Sequence, residues 1–324
     1  MKVIVQIPCL NEEKTLPIAL RDIPREIDGV DEIQTLVIDD GSTDRTVQVA
    51  QKHGVDHIVR LNRRHGLARA FTAGIEACLR LGADIIVNTD ADNQYQGADI
   101  PTLIEPILQG RADMVVGCRP IDDIEHFSWG KKVLQRVGSR VVSQLADLDV
   151  ADVTSGFRAY SRETALRLNV LSDFTYTLET VIQAGKKNLS VECVYVGTNE
   201  VLRPSRLFRS TASYVKRSIG TIVRIYSMYE PLKVFAYVGT LLCSGGALIF
   251  LRYLYFWARG QGVGHVQSLI LATVLLVLGF QTLVTGLMAD LTSANRRLIE
   301  DVLRRMRILE LNRDTNARED SRKQ

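Results

Sequence analysis

Two long uncharged stretches near the C-terminal end constrain the fold of this chain more than any other feature. Residues 234–251 and 266–289 are apolar and contain no Asp, Glu, Lys or Arg. A helix needs about 20 such residues to cross the hydrocarbon core of a bilayer. The linker between them is rich in aromatic side chains of the kind found at membrane–water interfaces: Tyr253, Tyr255, Phe256 and Trp257. We therefore predict two transmembrane helices, at 232–257 and 266–289, that form a hairpin.

Basic residues flank this hairpin on both outer sides, whereas its linker has only Arg252 and Arg259. The flanking residues are Lys216, Arg217, Arg224 and Lys233 before it, and Arg296, Arg297, Arg304, Arg305 and Arg307 after it. Positively charged flanks remain in the cytosol. We therefore expect a multi-pass protein of the inner (plasma) membrane, with its N-terminal domain and its C-terminus cytosolic. The first residues, MKVIVQIPCLNEE, reach charged side chains too early for a signal peptide, so we expect the hairpin to direct insertion.

The composition of the 324 residues excludes two classes of protein. With 46% hydrophobic residues, 24% charged residues and a net charge of +3, the chain is neither disordered nor a strongly basic nucleic-acid binder, and we expect no nucleic-acid partner. Its five cysteines form no CxxC pair. Scattered thiols in apolar runs are typically buried and reduced, which is what we expect here.

Residues 1–207 alternate short β-branched runs with stretches of helical length, which predicts an α/β domain with a mostly parallel sheet. The predicted strands are 3–7, 35–38, 57–61, 85–88, 114–116 and 191–196. The predicted helices are 13–20, 44–52, 67–81, 100–108, 130–145, 161–169 and 176–186. Such sheets bind ligands at the carboxyl ends of their strands.

Two further amphipathic segments flank the hairpin. Residues 208–231 read as a basic helix on the membrane surface, and residues 290–324 as a cytosolic helix with a polar tail. The second segment carries an apolar stripe: Leu291, Ala294, Leu298, Val302, Met306 and Leu309. The stripe could pack on the chain's own domain, lie on lipid or pair with another copy. We favour a homo-oligomer, with Gly245 and Gly246 allowing close packing of the spans.

Acidic clusters follow three of the predicted strands. They are Glu12-Glu13, Asp39-Asp40-Gly41-Ser42 and Asp90-Ala91-Asp92. One cluster alone could be a turn or a helix cap. Three that converge at one sheet edge repel unless a cation or a donor-rich ligand holds them together, and the simplest such ligand is a divalent metal with a diphosphate. Neither GxxxxGK[ST] nor GxGxxG occurs, which argues against a P-loop kinase or a dinucleotide dehydrogenase.

These motifs resemble the family 2 glycosyltransferases, which have the GT-A fold. The resemblance rests on Ile7-Pro8-Cys9-Leu10-Asn11-Glu12-Glu13, on the two Asp clusters, on Gly117-Cys118-Arg119, on the run from Thr154 to Tyr160, and on Arg203-Pro204-Ser205-Arg206. Within that family it is most similar to dolichyl-phosphate mannosyltransferases and their bacterial polyprenyl-phosphate counterparts. Many relatives read Asp-x-Asp-Leu-Gln, whereas this chain has Asn93-Gln94 followed by Tyr95, so the donor sugar is not carried over.

The resemblance implies a role for each motif. By this resemblance, the residues expected to bind the nucleotide-sugar are Pro8, Glu12, Asp39, Asp40 and Asp90. The residues expected to bind Mg²⁺ or Mn²⁺ are Asp92 and Gln94. The predicted catalytic set is Asp90, Asp92, Arg119, Arg158, Arg203 and Arg206. The predicted acceptor-phosphate set is Arg136, Ser139 and Arg140. Arginines suit both a phosphate acceptor and a departing diphosphate, because they form bidentate contacts.

The expected reaction is transfer of a sugar from a nucleotide-diphosphate sugar to a polyprenyl phosphate, with inversion. A phosphate monoester is largely dianionic at neutral pH, so it needs no general base. Glu179 is either an acidic assistant or a helix-surface charge, and His65 most simply a turn residue. Two alternatives stay open: a transferase that extends a polysaccharide, and a membrane scaffold that binds nucleotide-sugar without turnover.

Overall fold

A computed structural model describes residues 1–120, 129–172, 175–199, 211–260 and 262–323. It divides into two compact units, of which the first comprises Met1–Ile222 with Leu303–Gln324 and the second Val223–Val302. The first unit contains the seven strands β1 (Lys2–Cys9), β2 (Glu32–Asp39), β3 (His57–Arg60), β4 (Ile85–Asn88), β5 (Met114–Cys118), β6 (Arg158–Ser161) and β7 (Val191–Tyr195).

The seven strands form one sheet in the order β3-β2-β1-β4-β6-β5-β7. All neighbouring pairs are parallel except those of β6, which runs antiparallel to β4 and β5. The predicted α/β fold with a mostly parallel sheet is therefore confirmed. Helices cover both faces of such a sheet, so its central strands are buried and mostly apolar. In β1, for example, every residue from Val3 to Cys9 is buried.

The described residues form ten α-helices: α1 (Leu16–Asp22), α2 (Thr46–Lys52), α3 (Leu67–Arg80), α4 (Ile100–Leu108), α5 (Trp129–Ala146), α6 (Arg162–Arg167), α7 (Thr177–Lys186), α8 (Thr211–Tyr229), α9 (Pro231–Ala258) and α10 (Val266–Lys323). Most begin and end within a few residues of the predicted bounds. Helix α1 starts three residues late because the backbone N–H groups of Thr15 and Leu16 both bond to the carbonyl of Glu12. That turn keeps Glu12 in a loop at the carboxyl end of β1.

The second unit contains a helical hairpin made of α9 and the part of α10 up to Val302, together with the end of α8. By length and composition both helices could cross a membrane. Glycines bring the two backbones close together: a Cβ on Gly239 would lie 2.7 Å from Leu283, and one on Gly246 would lie 3.0 Å from the carbonyl of Ala272. Gly246 therefore packs inside the hairpin rather than between copies as expected, and Gly245 has no atom within 4 Å of its Cβ position.

The last part of α10 belongs to the first unit and contacts α6. The guanidinium of Arg307 donates to the carbonyls of Leu166 and Leu168, both at 3.1 Å. The last carbonyls of a helix lack intrahelical partners, so this arginine caps the C-terminal end of α6. Arg304 adds an ion pair with Glu163 at 2.7 Å.

Two cysteines that we expected to be reduced form a disulfide, Cys118–Cys193, with their Cα atoms 5.9 Å apart. The expectation was wrong for this pair because β5 and β7 are parallel neighbours, which brings together residues 75 positions apart in the chain. Cys9 and Cys78 are buried thiols, as predicted, and Cys243 is half-buried.

Candidate active site

The predicted acidic residues gather at the carboxyl edge of the sheet. Asp39 ends β2 opposite Cys9, the last residue of β1, and Asp90 follows β4 by two residues. Burial, and next the negative charges of Glu12, Asp39 and the neighbouring carboxylates, including Asp90, raise the pKa of the Cys9 thiol well above its usual value. Carboxylates from three loops therefore lie close enough to the Cys9 thiol, at the end of β1, to raise its pKa.

Hydrogen bonds join the loops that follow β1 and β2. The amide oxygen of Asn11 accepts from the Thr43 N–H at 2.8 Å, and the Asn11 N–H donates to Ser42 Oγ at 2.9 Å. Asn11 adopts a left-handed conformation, with φ of 57°, which asparagine tolerates better than most residues. The buried Glu12 accepts from the Thr15 hydroxyl at 2.7 Å. This pairing explains why the Asn-Glu-Glu and Asp-Asp-Gly-Ser motifs occur together.

The two adjacent aspartates of the second loop have different surroundings. Asp40 accepts at both oxygens from backbone N–H groups, those of His65 at 2.7 Å and Gly66 at 2.8 Å, so it holds the loop before α3. Asp39 accepts from Ser42 N–H through Oδ1. Its buried Oδ2 lies 3.5 Å from Arg60 Nε and accepts no hydrogen bond from any residue described. Asp39 therefore has an acceptor to offer a ligand.

The third acidic loop has one turn in an unusual conformation. Asn93 has φ of 59°, and the Gln94 N–H donates to Asp92 Oδ1 at 3.2 Å. Asp90, Asp92 and Gln94 are all partly exposed. The carbonyl of Gln94 accepts from Asn199 N–H at 3.0 Å, so the segment after β7 runs alongside this loop.

Gly156 brings the backbone of the Thr154-to-Tyr160 run against Asp90. A Cβ at this position would lie 2.9 Å from Asp90 Oδ2 and 2.9 Å from the Tyr176 hydroxyl. The Gly156 N–H donates to the Tyr95 hydroxyl at 2.9 Å, and its carbonyl accepts from the Asn88 amide at 2.8 Å. Burial, and then the charge of Asp90, hold the pKa of Tyr176 well above its usual value, so its hydroxyl stays neutral beside this carboxylate.

Arg119 forms an ion pair with a buried carboxylate, that of Asp152. Its Nε donates to Asp152 Oδ2 at 2.7 Å, and its Nη2 donates to Thr154 Oγ1 at 3.0 Å. The guanidinium also lies 5.7 Å from the centre of the Tyr95 ring. Sequence reasoning found Arg119 but missed Asp152 and Tyr95, although both stand within or beside the quoted motifs.

Arg158 lies inside the protein, with none of its surface exposed. It donates to four protein oxygens, the carbonyls of Val153, Ser155 and Thr177 and the hydroxyl of Thr180, at 2.6–2.9 Å. In this arrangement it supports the loop before β6 instead of facing a phosphate. Glu179, expected as an assistant acid or a surface charge, is buried and accepts from the Leu171 and Ser172 N–H groups.

The predicted acceptor-phosphate residues divide between two sides of α5. Arg136 and Arg140 are exposed, one turn apart. Ser139 is buried and accepts from Val153 N–H at 3.4 Å, so it joins α5 to the loop that contains Asp152. Arg203 and Arg206 lie outside the described residues.

The donor set at the end of β4 suits a hard divalent cation. Asp90, Asp92 and Gln94 offer carboxylate and amide oxygens, the ligands that Mg²⁺ and Mn²⁺ prefer. Within the described ranges no three His, Cys, Asp or Glu side chains form a closed metal cage. A cation here would therefore need oxygens from a ligand such as a diphosphate to complete its coordination.

The chain is similar to known proteins in sequence and in fold. The undecaprenyl-phosphate mannosyltransferase of Micrococcus luteus is 30% identical over 209 residues, 60% of this chain and 84% of that protein. The dolichol-phosphate mannosyltransferase of Pyrococcus furiosus is 29% identical over 249 residues, 74% and 68% of the two chains. The Mycobacterium tuberculosis glucosyl-3-phosphoglycerate synthase, solved with Mn²⁺, uridine-diphosphate-glucose and phosphoglyceric acid, has a TM-score of 0.54 at 24% identity, covering 70% and 79%, which shows a GT-A-like fold. The family model for glycosyl transferase family 2 matches residues 4–167, just over half of the sequence, and the chain belongs to this family.

Proposed function

We propose that this glycosyltransferase transfers a sugar from a nucleotide-diphosphate sugar to a polyprenyl phosphate at the cytosolic face of the membrane. The observation that carries the proposal is the combination, in one chain, of an acidic GT-A site with two helices apolar enough to cross a bilayer. A nucleotide-sugar donor with a cation accounts for the acidic site, and a lipid-linked acceptor accounts for the apolar helices. The names of the Micrococcus and Pyrococcus relatives, which act on undecaprenyl phosphate and dolichol phosphate, support the same acceptor class.

The donor nucleoside would bind where β1 and β2 end. The buried Oδ2 of Asp39 is an acceptor that an N–H of the base or a hydroxyl of the ribose can satisfy. Such a pairing is favourable because an unsatisfied buried acceptor costs about 1–3 kcal/mol. Pro8 and Glu12 would line the same place, and Asp40 would act indirectly, through the loop that it holds.

The diphosphate would lie at the end of β4. Asp92 and Gln94 would hold the Mg²⁺ or Mn²⁺, and Asp90 would face the ribose and diphosphate. When bound, the cation would supply neutralisation of the charge that develops on the leaving nucleoside diphosphate. The Mn²⁺ in the mycobacterial structure supports a divalent cation at this type of site.

The acceptor phosphate needs cations and orientation but no base, because it is already an anion at neutral pH. We assign this role to Arg136 and Arg140 on the exposed face of α5, together with Arg203 and Arg206. Ser139, Arg119 and Arg158 would position the loop beside Asp90 through the contacts described above. Attack in line on an α-linked donor would give a β-linked product, and catalysis would rest on positioning and on electrostatic stabilisation.

The test is sugar transfer to a short polyprenyl phosphate from a panel of radiolabelled nucleotide sugars, with and without EDTA. We expect one donor to be used and EDTA to abolish transfer until Mg²⁺ or Mn²⁺ is restored. Asp92→Ala should abolish transfer. Asp92→Asn, which keeps an acceptor for the Gln94 N–H but removes the charge, should lower it by about a hundredfold or more.

Asp28→Ala is the matched control, because Asp28 is exposed in the loop that precedes β2, at the opposite edge of the sheet. Its transfer rate should equal that of the unmodified protein, and thermal unfolding of all variants should show that each is folded. Near-normal transfer by Asp92→Ala would refute the metal assignment. Transfer to an oligosaccharide but not to polyprenyl phosphate would indicate polysaccharide extension, and nucleotide binding without any transfer would indicate a scaffold.

A further inference from the structure

Two amide side chains lie next to each other inside the sheet, close to the candidate site. Gln6 is in β1 and Asn88 ends β4, and the register of these parallel strands makes the two residues direct neighbours. Both are fully buried. The Gln6 carbonyl also accepts from the Thr89 N–H at 3.1 Å, so β1 holds the backbone that leads to Asp90. Central strands of a parallel sheet are usually apolar, so a buried pair of amides is unexpected here.

The hydrogen bonds of Asn88 determine how both amides are oriented. Its Nδ2 donates to the Gly156 carbonyl at 2.8 Å and to the Tyr176 hydroxyl at 2.8 Å. Because a carbonyl can only accept, the NH₂ group of Asn88 must face Gly156, and its Oδ1 must face the other way. That oxygen accepts from Gln6 Nε2 at 2.9 Å. Gln6 therefore holds the Asn88 amide in the orientation in which it donates to both groups.

The amide pair lowers the stability of the interior. Gln6 Oε1 is buried and accepts no hydrogen bond from any residue in the described part of the chain. Helix α3 passes over this oxygen at Gly74, where a Cβ would collide with it. A buried acceptor without a donor destabilises the folded state, whereas two apolar side chains of similar size would leave no such group. Local departures of this kind are typical of functional sites, where stability is lost in favour of positioning.

Both groups that Asn88 holds border the Asp90 carboxylate. The position of a Cβ on Gly156 lies 2.9 Å from Asp90 Oδ2 and 2.9 Å from the Tyr176 hydroxyl, so the three groups meet around one point. The Tyr176 hydroxyl in turn donates to the Gly156 carbonyl at 3.3 Å. The Asn88 amide therefore connects β4 to the two groups that limit where the Asp90 carboxylate can lie.

We infer that Gln6 and Asn88 are positioning residues for Asp90. Asn88 fixes the Gly156 carbonyl and the Tyr176 hydroxyl beside the carboxylate, and Gln6 fixes Asn88. The inference rests on the proposed function, in which Asp90 faces the ribose and diphosphate of the donor. Neither amide contacts the donor, because both are fully buried. Loss of the pair therefore slows turnover through Asp90, separately from its effect on stability.

Apolar replacements separate positioning from stability. Asn88→Leu leaves Gln6 Nε2 without its acceptor and should lower the urea concentration at the midpoint of unfolding. Gln6→Met combined with Asn88→Leu removes both amides and should recover most of that loss, because replacing both partners of a hydrogen bond is nearly neutral. Turnover should not recover. In both variants kcat/KM for the donor should be about tenfold below that of the unmodified protein, as expected when a carboxylate moves by about half an ångström. The KM for the acceptor should be unchanged.

Gln183→Met is the matched control. Gln183 is a fully buried glutamine of α7, and its Oε1 accepts from the Asn169 N–H at 3.1 Å. Its replacement should lower the urea midpoint but leave kcat/KM for the donor within twofold of the unmodified protein. If the turnover of the double variant recovers together with its urea midpoint, the amides serve stability alone and the inference is wrong. Unchanged turnover in Asn88→Leu would also overturn it.

Nucleotide binding without an acceptor distinguishes this inference from the proposed function. Binding of uridine diphosphate and of guanosine diphosphate is measured by calorimetry in the presence of Mn²⁺. The double variant should bind about tenfold more weakly than the unmodified protein, because Asp90 is displaced. If the unmodified protein binds a nucleotide but transfers no sugar to polyprenyl phosphate, the acceptor assignment fails, and weaker binding by the double variant still supports the positioning pair. Equal binding by the two proteins, or no binding of either nucleotide to the unmodified protein, would overturn the inference.

Discussion

Gly156→Ala places one methyl group against the Asp90 carboxylate of the candidate site. The added Cβ would lie 2.9 Å from both Asp90 Oδ2 and the Tyr176 hydroxyl, and 3.3 Å from Asp90 Oδ1. Tyr176 has little room to move, because it is fully buried, stacked on Phe71 at 4.0 Å and hydrogen-bonded by Asn88. Asp90 is partly exposed. The displacement therefore falls on the Asp90 carboxylate.

The size of the effect follows from these distances. Carbon–oxygen contacts are normally about 3.3–3.6 Å, so the carboxylate must move by about half an ångström. Overpacking of this kind costs about 1–3 kcal/mol of folding free energy. A misplacement of about 1 Å at a reacting centre can cost about a hundredfold in rate, so half of that distance should cost about tenfold. We expect a folded protein with a transfer rate reduced by about tenfold.

The assay is the initial rate of transfer to a short polyprenyl phosphate at saturating donor, beside urea unfolding of the same preparation. Gly220→Ala is the matched control, since Gly220 is an exposed residue of α8 with no atom within 4 Å of its Cβ position. That change should leave the rate unaltered and stabilise α8 slightly. If Gly156→Ala transfers sugar within twofold of Gly220→Ala, the close approach to Asp90 has no role in turnover.

Two further changes test the hydrogen bonds around this loop. Tyr95→Phe leaves the buried N–H of Gly156 without its acceptor and should lower the free energy of unfolding by about 1–3 kcal/mol; an unchanged urea midpoint would contradict this. Asp152→Asn removes the charge that pairs with Arg119 and should lower the free energy of unfolding by about 3–5 kcal/mol. The exposed control Asp147→Asn should lower it by at most about 1 kcal/mol. Equal losses in urea unfolding would show that the buried ion pair contributes no more to stability than an exposed one.

The placement of the acidic motifs could be predicted because it depends on local pattern and on one general rule. Apolar runs of four to eight residues define the parallel strands, and ligands bind where such strands end. Asp39 and Asp90 needed no more than this to be located at one edge of the sheet. The two long helices α9 and α10 could be predicted for a similar reason, since uncharged apolar runs of this length are recognisable from composition alone.

What the sequence could not predict depends on partners distant in the chain. Strand β6 begins with Arg158 and has only two apolar residues, so its own sequence does not indicate a strand. It is stabilised by antiparallel pairing with β4 on one side and with β5 on the other. The Cys118–Cys193 bond has the same origin in strand order. The sequence shows that Arg158 is flanked by Gly and aromatic residues. It does not show that the guanidinium of Arg158 donates to four protein oxygens, because these belong to residues brought together by the fold.

The arginines of this chain show how the two kinds of information combine. A cation on the surface near a phosphate site and a cation buried beneath it look identical in sequence, because both occur in short motifs rich in Gly and Ser. Burial distinguishes the two kinds of arginine. Arg158 and Arg119 lie inside the protein and donate hydrogen bonds to protein oxygens, whereas Arg136 and Arg140 are exposed on α5. A guanidinium already satisfied by carbonyls loses those hydrogen bonds if it turns to a ligand, so it stabilises the loop instead. A ligand can reach the exposed side chains of Arg136 and Arg140 without entering the protein interior, which makes this pair the better candidate for the acceptor phosphate.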